Sequence, residues 1–149
     1  VPLIVNDHPE VARDAGADGV HLGQEDDSIE EARRLLGPGR LIGQSTHSLE
    51  QALAADIQGA DYIGLGPIFP TPTKPSYGSV GTSLIREVAP RVSIPFVCIG
   101  GIDATTLPAV LGAGARCVAV VRAVCGAQDP ETAARLLKQS IRAAWRRRL

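Results

Sequence analysis

The stretch Asp61-Tyr-Ile-Gly-Leu-Gly-Pro-Ile-Phe-Pro-Thr-Pro-Thr-Lys74 joins a brief apolar run to a polar loop held by prolines. Tyr62 to Leu65 reads as a short buried strand, and Gly66-Pro67 ends it so that the chain turns outward at the strand's carboxyl end. Pro67, Pro70 and Pro72 restrict the loop, so Thr71, Thr73 and Lys74 have less conformational entropy left to lose on binding. Two hydroxyls and one ammonium at this spacing suit a phosphate, the hydroxyls as donors and the lysine as a point charge. The same composition also suits an ordinary solvated turn, and the neighbouring segments decide between the two.

Outward from this stretch the pattern repeats. Towards the carboxyl end, Ser83 to Ala89 reads as a helix closed by Pro90, and Ile94 to Ile99 as a strand ending in Gly100-Gly101. Thr105 to Leu111 follows as a helix stopped by Gly112 and Gly114, then Cys117 to Val121 as a strand. Pro130 opens a last helix with Ala133, Leu136, Leu137, Ile141 and Trp145 on one face. Its end, Arg146-Arg-Arg148, is either a binding patch or a solvated terminus complementing the helix dipole.

Towards the amino end, Ser48 caps a helix with Gln51 completing a capping box, and Leu41 to Gly43 reads as a strand ending at Gln44-Ser-Thr-His47. Ser28 with Glu31 caps a helix that Gly37-Pro38-Gly39 breaks. Gly19 to Leu22 is a strand ending in Gly23-Gln-Glu-Asp26. His8 to Ala15 is a helix stopped by Gly16, and Val1 to Val5 is a strand that meets Asn6-Asp7.

Six strands thus alternate with six helices, and the strands are short and apolar along their whole length. Strands of that kind are buried on both faces, which predicts an α/β fold with a parallel sheet covered by helices. An open doubly wound sheet would carry a glycine-rich fingerprint after its first strand, where this chain has Asn6-Asp7. Polar or glycine residues instead follow nearly every strand: Asn6, Asp7, Asp26, Ser45, Thr71, Lys74, Gly100 and Gly101. Sites assembled from successive strand ends belong to the (β/α)8 TIM barrel. A barrel has eight strands, so about six βα units are predicted here, with the first two strands missing.

The chain's 149 residues suit one domain with a sizeable core. It is 44% hydrophobic and 21% charged, a globular balance, and its net charge of −1 points away from nucleic acid and anionic membranes as general partners. Cys98, Cys117 and Cys125 form no close pair, which predicts buried free thiols in a reducing cytoplasm. Neither a signal peptide nor a membrane-length apolar run is present in the sequence.

Phosphate sites in barrels use backbone N–H groups from the loops after the last strands and a short helix N-terminus. Gly100-Gly101 and Val121-Arg122 occupy such places. Asp7 and Asp26 end adjacent strands, either as ligands for Mg2+, which takes one or two carboxylates plus phosphate oxygens, or as turn and cap aspartates. His21 and His47 are open to structural or catalytic roles. The sum predicts a metal-assisted enzyme acting on phosphorylated small molecules.

Asn6-Asp7, Gly19-Val-His-Leu-Gly-Gln-Glu-Asp26, Ser45-Thr-His47, Gly64-Leu-Gly-Pro-Ile-Phe-Pro-Thr-Pro-Thr-Lys74 and Ile99-Gly-Gly-Ile102 together resemble, in order and over the whole chain, the thiamine phosphate synthase family. The resemblance implies a cytoplasmic transferase that joins hydroxymethylpyrimidine diphosphate to thiazole phosphate with release of pyrophosphate. The C–O bond would break to give a pyrimidinylmethyl cation, which the thiazole nitrogen captures. By position, Asp7 and Asp26 would hold Mg2+, and Asn6, Ser45 and Lys74 would contact the pyrimidine diphosphate, Lys74 and Ser45 as catalytic residues. Thr71, Thr73, Gly101, Val121 and Arg122 would surround the thiazole phosphate.

Family members usually have serine where this chain has Arg122. Their barrel also begins two βα units earlier, and their Gln/Arg/Lys diphosphate motif has no counterpart here. The resemblance therefore implies one TIM-barrel domain over residues 1–149 forming the C-terminal three quarters of a longer enzyme, with strand edges unpaired in this chain alone. A thiazole tautomerase-like paralogue and a non-catalytic phosphate-binding remnant are the alternatives, and a homo-oligomer is left open.

Overall fold

The computed structural model of the chain describes residues 1–72 and 78–146. Strands β1 (Ile4–Asn6), β2 (Gly19–Leu22), β3 (Leu41–Thr46), β4 (Tyr62–Leu65), β5 (Phe96–Cys98) and β6 (Cys117–Val118) stand in the sheet in chain order. Between and after them come helices α1 (Pro9–Asp14), α2 (Ile29–Leu36), α3 (Leu49–Ile57), α4 (Gly81–Val88), α5 (Leu107–Ala113), α6 (Arg122–Cys125) and α7 (Pro130–Arg146). Asn6 pairs with His21, Leu22 with Gln44 and Val97 with Cys117, all in parallel register. The fold is the α/β class read from the sequence. Two compact units divide it, Val1–Gly64 with Arg91–Pro95 and Leu65–Pro90 with Phe96–Leu149.

In the first unit Val20, Leu22, Ile42 and Ile63 are fully buried, and the helices present small residues, Ala12, Ala32, Ala52 and Ala55, that allow close approach. Burying each large aliphatic side chain contributes about 1.5–3 kcal/mol, which holds these short strands in place. α2 begins with the predicted capping box: the Glu31 N–H donates to Ser28 Oγ at 3.2 Å and the Ser28 N–H to Glu31 Oε2 at 3.1 Å. Acidic residues preceding strands are structural. Asp18 accepts the Leu3 N–H at 2.7 Å, and Asp61 accepts the Ile42 N–H at 2.7 Å and Arg33 at 2.6 Å.

In the second unit α4 packs on α5, and both α5 and α6 pack on α7. Ile85, Val88, Leu107 and Val110 fill its interior with Leu65, Ile68 and Cys98. Burial pushes the Cys98 thiol up to about 12, with nearby Cys117 adding to the shift, so Cys98 stays protonated and inert.

Several expectations are corrected. β3 runs on to Thr46, because Gln44 and Thr46 are buried and bonded as strand residues, Thr46 Oγ1 donating to the Gly64 carbonyl at 2.9 Å. β1 begins at Ile4, and Val1 is fully exposed. The chain does not turn outward at Pro67: residues 66–68 are buried, and exposure begins only at Pro70. Thr105 and Thr106 precede α5 in a turn closed by Asp103, and Gly112 lies inside the helix.

The Cys117–Val121 segment is a two-residue strand followed by α6, so the described residues hold seven helices rather than six. Gln51 caps the His47 N–H at 2.7 Å instead of that of Ser48. On α7 only Leu137 is buried, while Leu136 and Trp145 are exposed. Cys117 and Cys125 are exposed rather than buried. Among the described residues no helix is long and apolar enough to cross a membrane.

Candidate functional site

In the first unit the polar residues gather where β1, β2 and β3 end. Asn6 closes β1 and is exposed; Asp7 follows with φ of 66°, its N–H donating to the His21 carbonyl at 2.8 Å. A left-handed conformation at a residue with a side chain costs about 1–2 kcal/mol, least for Asp and Asn, and such positions cluster at functional sites. After β2 the chain makes a turn in which Asp26 Oδ2 accepts the Gly23 N–H at 2.6 Å. Asp26 is thus a turn carboxylate through Oδ2.

Asp7 and Asp26 together offer hard oxygen donors. Among the described residues no three His, Cys, Asp or Glu side chains gather as a metal cluster. Two carboxylates fit Mg2+, which takes waters and substrate phosphates for its remaining positions, better than a metal needing an all-protein cage.

Ser45 sits within β3, and its neighbours fix it. His21 Nε2 lies 2.9 Å from Ser45 Oγ, His21 Nδ1 lies 3.1 Å from the Tyr62 hydroxyl, and Gln24 Nε2 donates to the Ser45 carbonyl at 2.5 Å. Gln44 Nε2 ties the same turn by donating to the Gly23 carbonyl at 2.6 Å. Burial pushes the Tyr62 phenol above its ordinary value, so it keeps its proton.

In the second unit a cavity of about 440 Å³ opens beside the residues that follow β5 and β6. Thr71, Gly101, Val121 and Arg122, singled out from the sequence, all line it. Gly100 and Gly101 have φ of 98° and 61°; a Cβ on Gly100 would lie 2.5 Å from Pro67 Cβ and one on Gly101 2.7 Å from Phe69 Cβ. The pair is therefore glycine for two reasons, backbone conformation and the close approach of the 67–70 segment. That segment is pinned by the Ile68 N–H to the Ile99 carbonyl at 2.8 Å and the Phe69 N–H to the Gly100 carbonyl at 3.1 Å.

Val121 is the N-cap of α6, and the N–H groups of Arg122 and Ala123 fall in its first turn, where no carbonyl four residues earlier is available. Both residues line the cavity. Asp103 lines it too, but its carboxylate is turned to its own loop, accepting the Thr105 N–H at 2.8 Å, the Thr105 hydroxyl at 2.6 Å and the Thr106 N–H at 3.0 Å. Those bonds, the Thr105 hydroxyl first, hold its pKa below the usual carboxylate range.

The structure thus brings Thr71, Gly101, Val121 and Arg122 to one cavity, and it places Asn6, Asp7, Asp26 and Ser45 at the ends of β1–β3. Thr73 and Lys74 lie outside the described residues. Sequence reasoning missed the partners of Ser45, namely His21 and Gln24, and the bond of Tyr62 to His21, and it left His21 undecided. It also missed α6, because the valine-rich Cys117 to Val121 reads as strand and a four-residue helix at Arg122–Cys125 is too short to show helical spacing. The glycines at positions 43 and 64 carried a usable signal, since each clears space for the His21 ring.

Parallel βα units with polar residues after their strands, and a glycine turn beside a short helix, define an α/β protein of the TIM-barrel type. The sequence profile described as thiamine monophosphate synthase (TMP-TENI) matches residues 1–124, and the chain belongs to that family. It is 51% identical over 93% of its length to a thiamine-phosphate synthase of Mycobacterium sp. (strain KMS), covering 62% of that relative. It is 50% identical over 93% of its length to one of Synechococcus sp. (strain CC9311), covering 39% of it. A solved structure of thiamine phosphate pyrophosphorylase from Pyrococcus furiosus superposes with a TM-score of 0.86 at 40% identity, covering 95% of this chain and 67% of that one. The chain therefore spans about two fifths to two thirds of the length of these relatives.

Proposed function

We propose that the protein carrying this sequence is a thiamine phosphate synthase, which condenses hydroxymethylpyrimidine diphosphate with thiazole phosphate to give thiamine phosphate and pyrophosphate. One observation carries the assignment: the residues that the family resemblance gives to the thiazole phosphate, Thr71, Gly101, Val121 and Arg122, line a single cavity. Gly101 and the first turn of α6 border that cavity, where their backbone N–H groups would donate to the phosphate, and Arg122, in place of the serine usual in the family, would add a charge-assisted donor.

Asn6 and Ser45, in the first unit, are assigned to the pyrimidine diphosphate, and Lys74 is assigned to it from the family resemblance alone. Asp7 and Asp26 would hold Mg2+, whose charge, when bound, offsets that developing on the leaving diphosphate. The C–O bond of the pyrimidinylmethyl diphosphate breaks with its electron pair departing on pyrophosphate. The thiazole nitrogen then supplies the pair for the new C–N bond, so no external base or oxidant is required. Ser45 and Lys74 stabilise the departing charge by hydrogen bond and point charge. Such chemistry belongs to a cytoplasmic biosynthetic enzyme whose partners are two small phosphorylated molecules.

The test is pyrophosphate release from the two substrates with and without Mg2+, together with calorimetric titration of thiazole phosphate alone. Turnover only with Mg2+, and thiazole phosphate binding in its absence, are expected. Thiazole phosphate binding without turnover would instead indicate a phosphate-binding remnant, metal-independent isomerisation of the thiazole a tautomerase, and failure of both measurements would overturn the assignment.

A further inference from the structure

His21 stands between two hydroxyls, with Nδ1 3.1 Å from Tyr62 and Nε2 2.9 Å from Ser45. The two rings lie 5.5 Å apart between centroids and are tilted by 31°. The backbone is cut away to admit them. A Cβ on Gly43 would fall 2.2 Å from Tyr62 Cζ and 2.5 Å from His21 Nδ1, and one on Gly64 3.2 Å from His21 Cε1. A contact below 3 Å against two rings cannot be relieved by a side-chain rotation alone, so glycine at position 43 is the condition for this arrangement.

A neutral imidazole has one donor nitrogen and one acceptor nitrogen, so the two hydroxyls cannot be treated alike. With the proton on Nδ1, that nitrogen donates to Tyr62 and Nε2 must accept the Ser45 hydroxyl hydrogen, which turns the serine's only donor inward. With the proton on Nε2, Tyr62 donates to Nδ1 and Nε2–H donates to Ser45 Oγ. The serine hydrogen then remains for an anion.

We propose that Tyr62 and His21 are positioning residues that form a relay, Tyr62 O–H to Nδ1 and Nε2–H to Ser45 Oγ, which presents the Ser45 hydroxyl hydrogen to an anionic oxygen of the substrate diphosphate. Its use of the diphosphate rests on the assignment of Ser45 above, whereas the tautomer itself does not. The burial that raises the Tyr62 pKa keeps the phenol protonated and able to donate. Gln24, donating to the Ser45 carbonyl at 2.5 Å, restrains the same residue from its backbone side.

Two measurements separate the relay from a merely structural cluster. Nitrogen-15 spectra of histidine-labelled protein, with His21 assigned by its loss in His21→Gln, should show the neutral ring as the Nε2–H tautomer, and Tyr62→Phe should move it towards Nδ1–H. In turnover assays Tyr62→Phe should raise KM for the pyrimidine diphosphate about fivefold to tenfold, the loss of one hydrogen bond, and leave KM for thiazole phosphate unchanged. His21→Gln, which can place an amide N–H near the former Nε2, should retain more diphosphate affinity than His21→Leu. An Nδ1–H tautomer in the wild-type protein overturns the relay whatever the kinetics show. If Ser45→Ala leaves diphosphate KM unchanged while the Nε2–H tautomer is present, the assignment of Ser45 fails and the relay's geometry survives. If Ser45→Ala raises that KM and Tyr62→Phe does not, the relay fails and the assignment of Ser45 survives.

Discussion

Asp26 combines two roles that substitution can separate. Its Oδ2 closes the turn on the Gly23 N–H, and its charge is the part proposed to serve Mg2+. Asp26→Asn keeps an acceptor in the turn and removes the charge, whereas Asp26→Ala removes both. Both variants should lose Mg2+-dependent pyrophosphate release and keep thiazole phosphate affinity, while only Asp26→Ala should also lower stability, by about 1 kcal/mol for the lost hydrogen bond. Normal turnover in Asp26→Asn would reject the metal role. Lys74→Ala should cut turnover about a hundredfold or more, the effect of losing a positioned electrostatic group. Ordinary rates would return Lys74 to the solvent.

Asp103 gives the pH dependence at this scale. Its folded pKa is lowered by the Thr105 hydroxyl and the Thr105 and Thr106 N–H groups, so its contribution to stability is present above the ordinary carboxylate pKa and is lost as pH falls through the lower folded value. Thermal melts of wild type and Asp103→Ala should therefore differ near neutrality and converge in acid; an equal difference at every pH would show that the charge is immaterial. The positions of Asn6, Asp7 and Asp26 after their strands were legible in the sequence because polar residues there mark where an apolar run ends. The His21–Tyr62 pairing was not, since it joins β2 to β4 across β3, and a lone histidine in an apolar strand carries no sign of its partner.

At the scale of elements, helix starts were legible where a side chain must satisfy an N–H group, as at Ser28 and Ser48, and strand ends were less so. β3 continues through Gln44-Ser-Thr46 because buried hydrogen bonds to Gly23 and Gly64 replace the burial of apolar side chains, a substitution that hydrophobic patterning cannot detect. Glycines in adjoining elements make opposite predictions. Gly112 lies within α5 with nothing within 4 Å of a built Cβ, so Gly112→Ala should raise stability by about 0.5–1 kcal/mol. Gly101→Ala meets both a φ of 61° and Phe69 Cβ at 2.7 Å, and should lower stability by at least about 1 kcal/mol while weakening thiazole phosphate binding. Denaturant titration of the two variants, with calorimetry on the second, checks both signs.

For the molecule as a whole, alternation of apolar runs and helical spacing made the α/β class readable, because runs such as Leu41-Ile42, Tyr62 to Leu65 and Phe96 to Cys98 are apolar yet too short for a helix. The division into two compact units was not readable, since β4 looks in sequence like any other strand although the boundary falls inside it, between Gly64 and Leu65. That division has an energetic consequence, because four of the five residues proposed for the metal and diphosphate, Asn6, Asp7, Asp26 and Ser45, belong to the first unit, and Thr71, Gly101, Val121 and Arg122 to the second. A ligand at a hundredfold excess over its Kd stabilises what it binds by about 2.7 kcal/mol, and local opening reports that gain first in the segments it touches. Hydrogen exchange should therefore show thiazole phosphate protecting residues 99–103 and 119–125 equally with and without Mg2+. Pyrimidine diphosphate should protect the segments after β1, β2 and β3 only when Mg2+ is present. Protection by thiazole phosphate confined to the first unit, or diphosphate protection indifferent to Mg2+, would show that the two phosphates have been assigned to the wrong residues.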